Sequence, residues 1–221
     1  MERRKLGKSG ISVSRIALGT MTWGRDTDEH EAAEQLRLFI DAGGNLIDTA
    51  AIYGDGDAER VLGGLVNAMA NREELVIASK AGIVLRNGER VIDNSRTALI
   101  ADLDRSLKRL QTDYLDLWQI HRWDPNTPIE ETLSAMDFAV TSGRVRYLGI
   151  SNFSGWQTAL SCTLQNPQFG KASIVGTQNE YSLLNRKAEE EIVPAARELG
   201  IGILAWSPLD RKSTRLNSSH T

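Results

Sequence analysis

Only one cysteine, Cys162, occurs in the sequence, so no disulfide can close within the chain and stability has to come from burial. That poverty fits a reducing compartment, and the expected location is cytoplasmic. No apolar run approaches the ~20 residues that span a bilayer, so a membrane is not an expected partner. The opening Met-Glu-Arg-Arg-Lys is charged and has no apolar segment behind it, so no signal peptide is read there. A basic excess is also missing. The net charge of −3 sets nucleic acid aside as a partner.

What is present is an ordinary globular composition, 41% hydrophobic and 25% charged, over 221 residues. Short apolar runs alternate with longer amphipathic ones. The spacing predicts strands at Ile16–Leu18, Leu46–Asp48, Leu75–Ser79, Leu115–Ile120, Arg146–Ile150, Ser173–Gln178 and Gly202–Trp206. Most are apolar at nearly every position, as in a parallel sheet covered on both faces. Leu99, Leu103, Leu107 and Leu110 make one helical stripe, Leu133, Met136 and Val140 a second, and Ile192, Ala196 and Leu199 a third. Gly43-Gly44, Gly143 and Gly200 follow such stretches, where a left-handed terminus favours glycine.

A β-α rhythm of this kind means a parallel α/β fold. An open dinucleotide-binding sheet should carry a Gly-rich turn after its first strand. Here Gly19-Thr20-Met21-Thr22-Trp23-Gly24 follows instead, and Gly54-Asp55-Gly56 lacks the third glycine. The expected fold class is therefore a (β/α)8 TIM barrel. It is incomplete, with about seven strands and six helices where a closed barrel needs eight of each. Arg4–Leu6 and Ile11–Ser14 flank Gly7-Lys8-Ser9-Gly10 and read as an N-terminal β-hairpin that would plug the barrel's floor.

From Asp210 the text changes character. Asp210–His220 has no apolar periodicity and matches the forward translation of a common sequencing-library adapter. Residues 1–209 are read as the barrel domain, C-terminally truncated, and 210–221 as a non-native tail. Without a last helix, strand and helix the outer strands would have open edges. The chain as written is expected to be inactive, and the intact gene product an enzyme.

Functional residues of a barrel sit at the C-terminal ends of its strands. Those ends supply Asp48, Lys80 and His121, with Tyr53 in the loop after Asp48. Alone, each has an ordinary reading: a turn or cap aspartate, a packed tyrosine, a solvated or Schiff-base lysine, a hydrogen-bonded loop histidine. Together they make a proton-donating site. Tyrosine holds its proton at neutral pH and can give it to a developing alkoxide. A lysine cation beside it eases the donation, a carboxylate keeps the amine charged, and a histidine can orient a carbonyl.

Asp48-Thr-Ala-Ala-Ile-Tyr53-Gly54, followed by Glu59 and Leu62-Gly63, resembles the signature of the aldo-keto reductase family. Ser79-Lys80, Asp113 through His121, Gly149-Ile-Ser151-Asn152-Phe153 with Gln178, and Ala205-Trp206-Ser207-Pro208-Leu209 resemble its other strand ends. The run Gln178–Arg186 resembles the branch containing bacterial reductases and potassium-channel β-subunits more than the vertebrate aldose reductases. The resemblance implies an NADP(H)-dependent oxidoreductase that reduces a small-molecule aldehyde or ketone without metal. In it Asp48, Tyr53, Lys80 and His121 would be catalytic. Gly19, Thr20, Met21, Asp48, Ser151, Asn152, Gln178, Trp206, Ser207, Pro208 and Leu209 would bind cofactor. The family's residues for the adenosine phosphate come after its seventh strand, so a preference for NADP(H) over NAD(H) comes from the resemblance alone. Ala58 stands where a serine is usual, and Asp57 is expected to cap that helix instead. Two other functions compete: a cofactor-binding regulatory subunit with little turnover, and a lysine-based aldolase.

Overall fold

The computed structural model describes residues 1–209; the segment read as a foreign tail lies outside the described residues. The chain begins with a hairpin of β1 (Arg3–Lys5) and β2 (Ser12–Ser14). Then come β3 (Leu18–Gly19), α1 (Glu29–Asp41), β4 (Leu46–Asp48), α2 (Asp57–Met69) and β5 (Val76–Ala81). A second hairpin, β6 (Ile83–Arg86) and β7 (Glu89–Ile92), leads to α3 (Arg96–Leu110) and β8 (Leu115–Ile120). The remainder is α4 (Ile129–Thr141), β9 (Val145–Ser151), α5 (Gly155–Leu164), β10 (Ile174–Glu180), α6 (Ile192–Leu199) and β11 (Gly202–Trp206).

Seven strands form one parallel sheet in the order β3-β4-β5-β8-β9-β10-β11, each beside the next in the chain apart from the inserted hairpin. Among the described residues no strand pairs with the outer edges of β3 and β11. The fold is an incomplete (β/α)8 barrel: a curled parallel sheet, six helices and an N-terminal hairpin. No described helix is long and apolar enough to cross a membrane.

Alternation along the strands explains both cores. Ile47, Ile77 and Trp118 point outward and pack against helix residues such as Leu36, Leu62, Leu99 and Leu103. Leu46, Val76, Ala78 and Leu117 point inward, where Leu6, Ile11 and Val13 of the first hairpin fill the floor. Leu6 also packs against Gly176 and Gly202, where a Cβ would collide with it. One side chain thus touches β4-to-β8 residues and the β10–β11 side, which requires the sheet to curl. Continuing the inward face by two residues puts Asp48 above Leu46, and Lys80 above Ala78.

Local chemistry accounts for the departures from sequence. The first barrel strand starts at Leu18 rather than Ile16, and Ile16 is 64% exposed. The Ser14 hydroxyl turns the chain there: it donates to the Ile16 carbonyl at 2.7 Å and accepts the Asn45 and Leu46 amides. Asp57 does not cap α2; it is the first helical residue and pairs with Arg60, while Gly56 at φ 98° precedes it. The second hairpin was not expected from the pattern. Its turn, Asn87-Gly88 with φ of 52° and 82°, is nonetheless an Asn-Gly hairpin signal.

Candidate active site

At the top of the inward face, the Lys80 ammonium meets the Asp48 carboxylate at 2.7 Å, with 1% and 17% of the two side chains exposed. Lys80 also donates to the Thr49 carbonyl at 2.9 Å and approaches the Tyr53 hydroxyl at 3.5 Å. Burial works against the charged amine, but the Asp48 carboxylate and Tyr53 oxygen outweigh it, and the lysine pKa lies above its ordinary value. The other Asp48 oxygen accepts from the Gln178 amide at 2.8 Å, so a residue of β10 reaches across to fix the carboxylate on β4.

Tyr53 stands on a tight loop that is braced from outside the barrel. Arg109 of α3 donates to the Ala51 carbonyl and to the Glu59 carboxylate, both at 3.2 Å. The other Glu59 oxygen takes the Ser79 hydroxyl at 2.7 Å. Glu59 is fully buried; desolvation raises its pKa, and Ser79 and Arg109 oppose the rise. The Arg109 guanidinium occupies the space that a Cβ on Gly56 would need. Glu59 was quoted only as part of a motif; nothing in the linear pattern shows that Arg109 reaches it.

The His121 ring sits edge-on to Tyr53, with centroids 5.9 Å apart and planes at 82°. Its Nδ1 is buried and has no partner among the described residues. Burial, then the charges of Lys80, Arg122 and Arg90, lower its pKa to about 3, so the imidazole is neutral near pH 7. Asn152, in a left-handed backbone conformation, ties the end of β9 to the end of the neighbouring β8 and, across β10, to β11. Its amide donates to the His121 carbonyl and the Ser151 hydroxyl, and its oxygen accepts from the Trp206 indole, each at 3.0 Å.

These groups line the upper part of a cavity of about 960 Å³ that opens at the C-terminal ends of the strands and runs down between β3 and β11 to residues 14–17, Leu46 and Ile203. Asp48, Tyr53 and His121 line it, as do all eleven residues expected to bind cofactor: Gly19, Thr20, Met21, Asp48, Ser151, Asn152, Gln178, Trp206, Ser207, Pro208 and Leu209. Lys80 is not on the wall but behind Asp48 and Tyr53. Arg122 is on the wall and was not singled out from sequence, although it directly follows His121. Among the described residues, no three His, Cys, Asp or Glu side chains gather as metal ligands.

The donor set fits the carboxamide end of a nicotinamide. Asn152 commits its amide to the protein, and Gln178 commits its NH₂ to Asp48. The Ser151 hydroxyl retains a proton to donate, and the Gln178 oxygen retains its acceptor capacity, which together complement a primary amide. Trp206 supplies an aromatic wall held by its own hydrogen bond.

The sequence profile of the Aldo/keto reductase family matches residues 15–217. The chain belongs to the aldo/keto reductase family. It is 39% identical over 219 residues to the oxidoreductase YrpG of Bacillus subtilis (strain 168), covering 95% of this chain and 67% of that protein. It is 36% identical over 217 residues to the aldo-keto reductase YhdN of the same strain, covering 96% and 63%. A probable voltage-gated potassium channel subunit beta of Oryza sativa subsp. japonica is 35% identical over 217 residues, covering 95% and 64%. The chain thus spans about two thirds of the length of these aldo/keto reductase relatives.

Proposed function

We propose that this chain carries the active site of an NADP(H)-dependent oxidoreductase that reduces aldehydes or ketones to alcohols, with Tyr53 as the general acid, and that the intact gene product is the form that turns over. The observation that carries the reading is the chain of contacts from Asp48 to Lys80 to the Tyr53 hydroxyl, opening onto the cavity beside His121. When bound, the reduced nicotinamide supplies hydride to the carbonyl carbon. Ser151 and Gln178 would hold its carboxamide, and Trp206 would supply the aromatic wall beside it. Gly19, Thr20, Met21 and the Ser207–Leu209 turn complete the wall around it.

The remaining chemistry belongs to this chain's own residues. Tyr53 gives its proton to the carbonyl oxygen as negative charge develops there. The Lys80 ammonium, facing the same phenolic oxygen, stabilises the phenolate that remains. Asp48 keeps Lys80 charged, and Gln178 keeps Asp48 in place. Neutral His121 holds the carbonyl oxygen within reach of Tyr53 without competing for its proton. A protonated Lys80 locked to Asp48 is a poor nucleophile, which counts against the lysine-aldolase reading.

Tyr53→Phe is the direct test. It is expected to lower the NADPH-dependent reduction of an aldehyde by roughly 100- to 10,000-fold, the usual contribution of a positioned acid. NADPH affinity, measured by fluorescence quenching, should change little. Retention of most activity would remove Tyr53 from the role. A parent chain giving one slow hydride transfer with no released product would instead favour a cofactor-binding regulatory subunit.

A further inference from the structure

The charges on the cavity wall cancel in pairs, with one exception. Asp48 faces Lys80 at 2.7 Å, and Arg15 faces Glu2 at 3.0 Å. His121 is neutral. Arg122, the next residue along, is exposed, and its guanidinium has no hydrogen bond or ion pair among the described residues. Several arginines find partners, among them Arg72 with Asp116, Arg109 with Glu59 and Arg144 with Asp104, while the exposed Arg3 and Arg197 have none among the described residues but do not line this cavity. In a protein of net charge −3, an unpaired guanidinium on this wall does not reflect a shortage of carboxylates. Arg90 of β7, on the hairpin that leaves the top of β5, likewise has no side-chain partner among the described residues, and its charge is felt at His121. The described wall of the cavity therefore carries a net positive charge, close to where a carbonyl would sit.

We infer that Arg122 selects carbonyl substrates that carry an anionic group, a carboxylate or a phosphate ester, and that Arg90 adds to the field that draws them in. The inference rests on the reductase reading of the same cavity. A guanidinium presents a planar fork of donors that matches either anion, and a cation in a concave wall concentrates counter-ions. His121 and Arg122 line the same cavity, so an oxygen held by one and an anion held by the other can belong to one small molecule. The groups assigned to the nicotinamide's carboxamide and ring face, Ser151, Gln178 and Trp206, come from β9, β10 and β11, with Gly19, Thr20 and Met21 beyond them on the β3 side. Arg122 follows β8, beside the strand that bears Lys80, and so is placed on the substrate's side.

The test compares the full chain with R122Q and R122K. With NADPH, kcat/KM is measured for 4-carboxybenzaldehyde against 4-methylbenzaldehyde, and for glyceraldehyde 3-phosphate against glyceraldehyde. The anionic-to-neutral ratio should exceed one in the parent, fall ~10-fold or more in R122Q, and be partly restored in R122K. The larger ratio identifies which anion the wall prefers. Ligand-observed NMR with benzoate, phenyl phosphate and benzyl alcohol reads the same preference without turnover. There the two anions should bind more tightly than the alcohol in the parent, and this difference should vanish in R122Q. Equal binding of neutral and anionic ligands, or a preference that survives in R122Q, would overturn the inference. A loss of NADP⁺ binding in R122Q as large as the loss of benzoate binding would also overturn it, by giving Arg122 to the cofactor's phosphates. Activity retained in Tyr53→Phe would count against the proposed acid, while the NMR comparison would still read the anion preference.

Discussion

Buried ionisable groups here are held in one protonation state by named neighbours, and His121 is the case with the plainest consequence. Its pKa falls from 6.5 to about 3, through burial first and then the surrounding cations. The unfolded chain binds a proton on this residue near pH 6.5 and the folded chain does not. Stability is therefore expected to fall as pH drops from 6.5 toward 3, by at most about 1.4 kcal/mol per pH unit from this group. Urea midpoints measured between pH 7 and 4.5 should show a shallower decline in His121→Gln than in the parent; equal slopes would mean that His121 titrates normally in the fold. For the same reason kcat/KM should show no break near pH 6.5. Asp48, Lys80 and His121 at the strand ends, and Tyr53 in the loop after the first of them, were legible as candidates because strand ends are adjacent in a barrel however far apart they lie in the chain. Arg122 was not, because whether a guanidinium is paired depends on tertiary neighbours.

Elements differ in how openly the sequence declares them. Strands covered on both faces write themselves as apolar runs, and β4 and β8 lie where those runs lie; β11 does so as well, although none of its residues is fully buried. β3 does not, because Ser14 bends the chain and leaves only Leu18 and Gly19 to pair. The second hairpin hid in a polar stretch despite its Asn-Gly turn. Least legible was the brace on the Tyr53 loop, since it joins α3, α2 and β5 through Arg109, Glu59 and Ser79. Gly56 is where this brace is most exposed to a substitution. Gly56→Ala would impose a side chain on φ 98° and push into the Arg109 guanidinium. The conformation alone costs about 1–2 kcal/mol, and the shifted loop should lower kcat more than it changes the cofactor's Kd. Denaturation together with NADPH titration checks this, and unaltered kcat with lowered stability would show that the brace does not position Tyr53.

The whole molecule depends on its floor as much as on its rim. Leu6, Ile11 and Val13 close the inward core, and Leu6 packs against the β10–β11 side of the curled sheet from that core, beside the Lys8 amide's bond to the Gly200 carbonyl. Leu6→Ala is expected to cost about 2–5 kcal/mol, as for other leucines buried in a close-packed core. Against a typical total of about 5–15 kcal/mol, that is a large share. A urea midpoint that barely moves would mean the hairpin is an accessory to the barrel rather than its plug. The barrel class and the site's location were readable from rhythm and strand ends, whereas the curl that brings Gln178 to Asp48 was not.

β3 joins the sheet through two residue pairs, whereas β8 and β9 share five. The segment that follows it, Thr20 and Met21, forms one wall of the cavity. Local opening there breaks few backbone hydrogen bonds and needs far less free energy than global unfolding. The Thr20 amide adds one bond, to the Asp48 carbonyl, so this end of the sheet is a hem held by few stitches. Where release rather than chemistry sets the pace, turnover would be timed by how often those two rungs part.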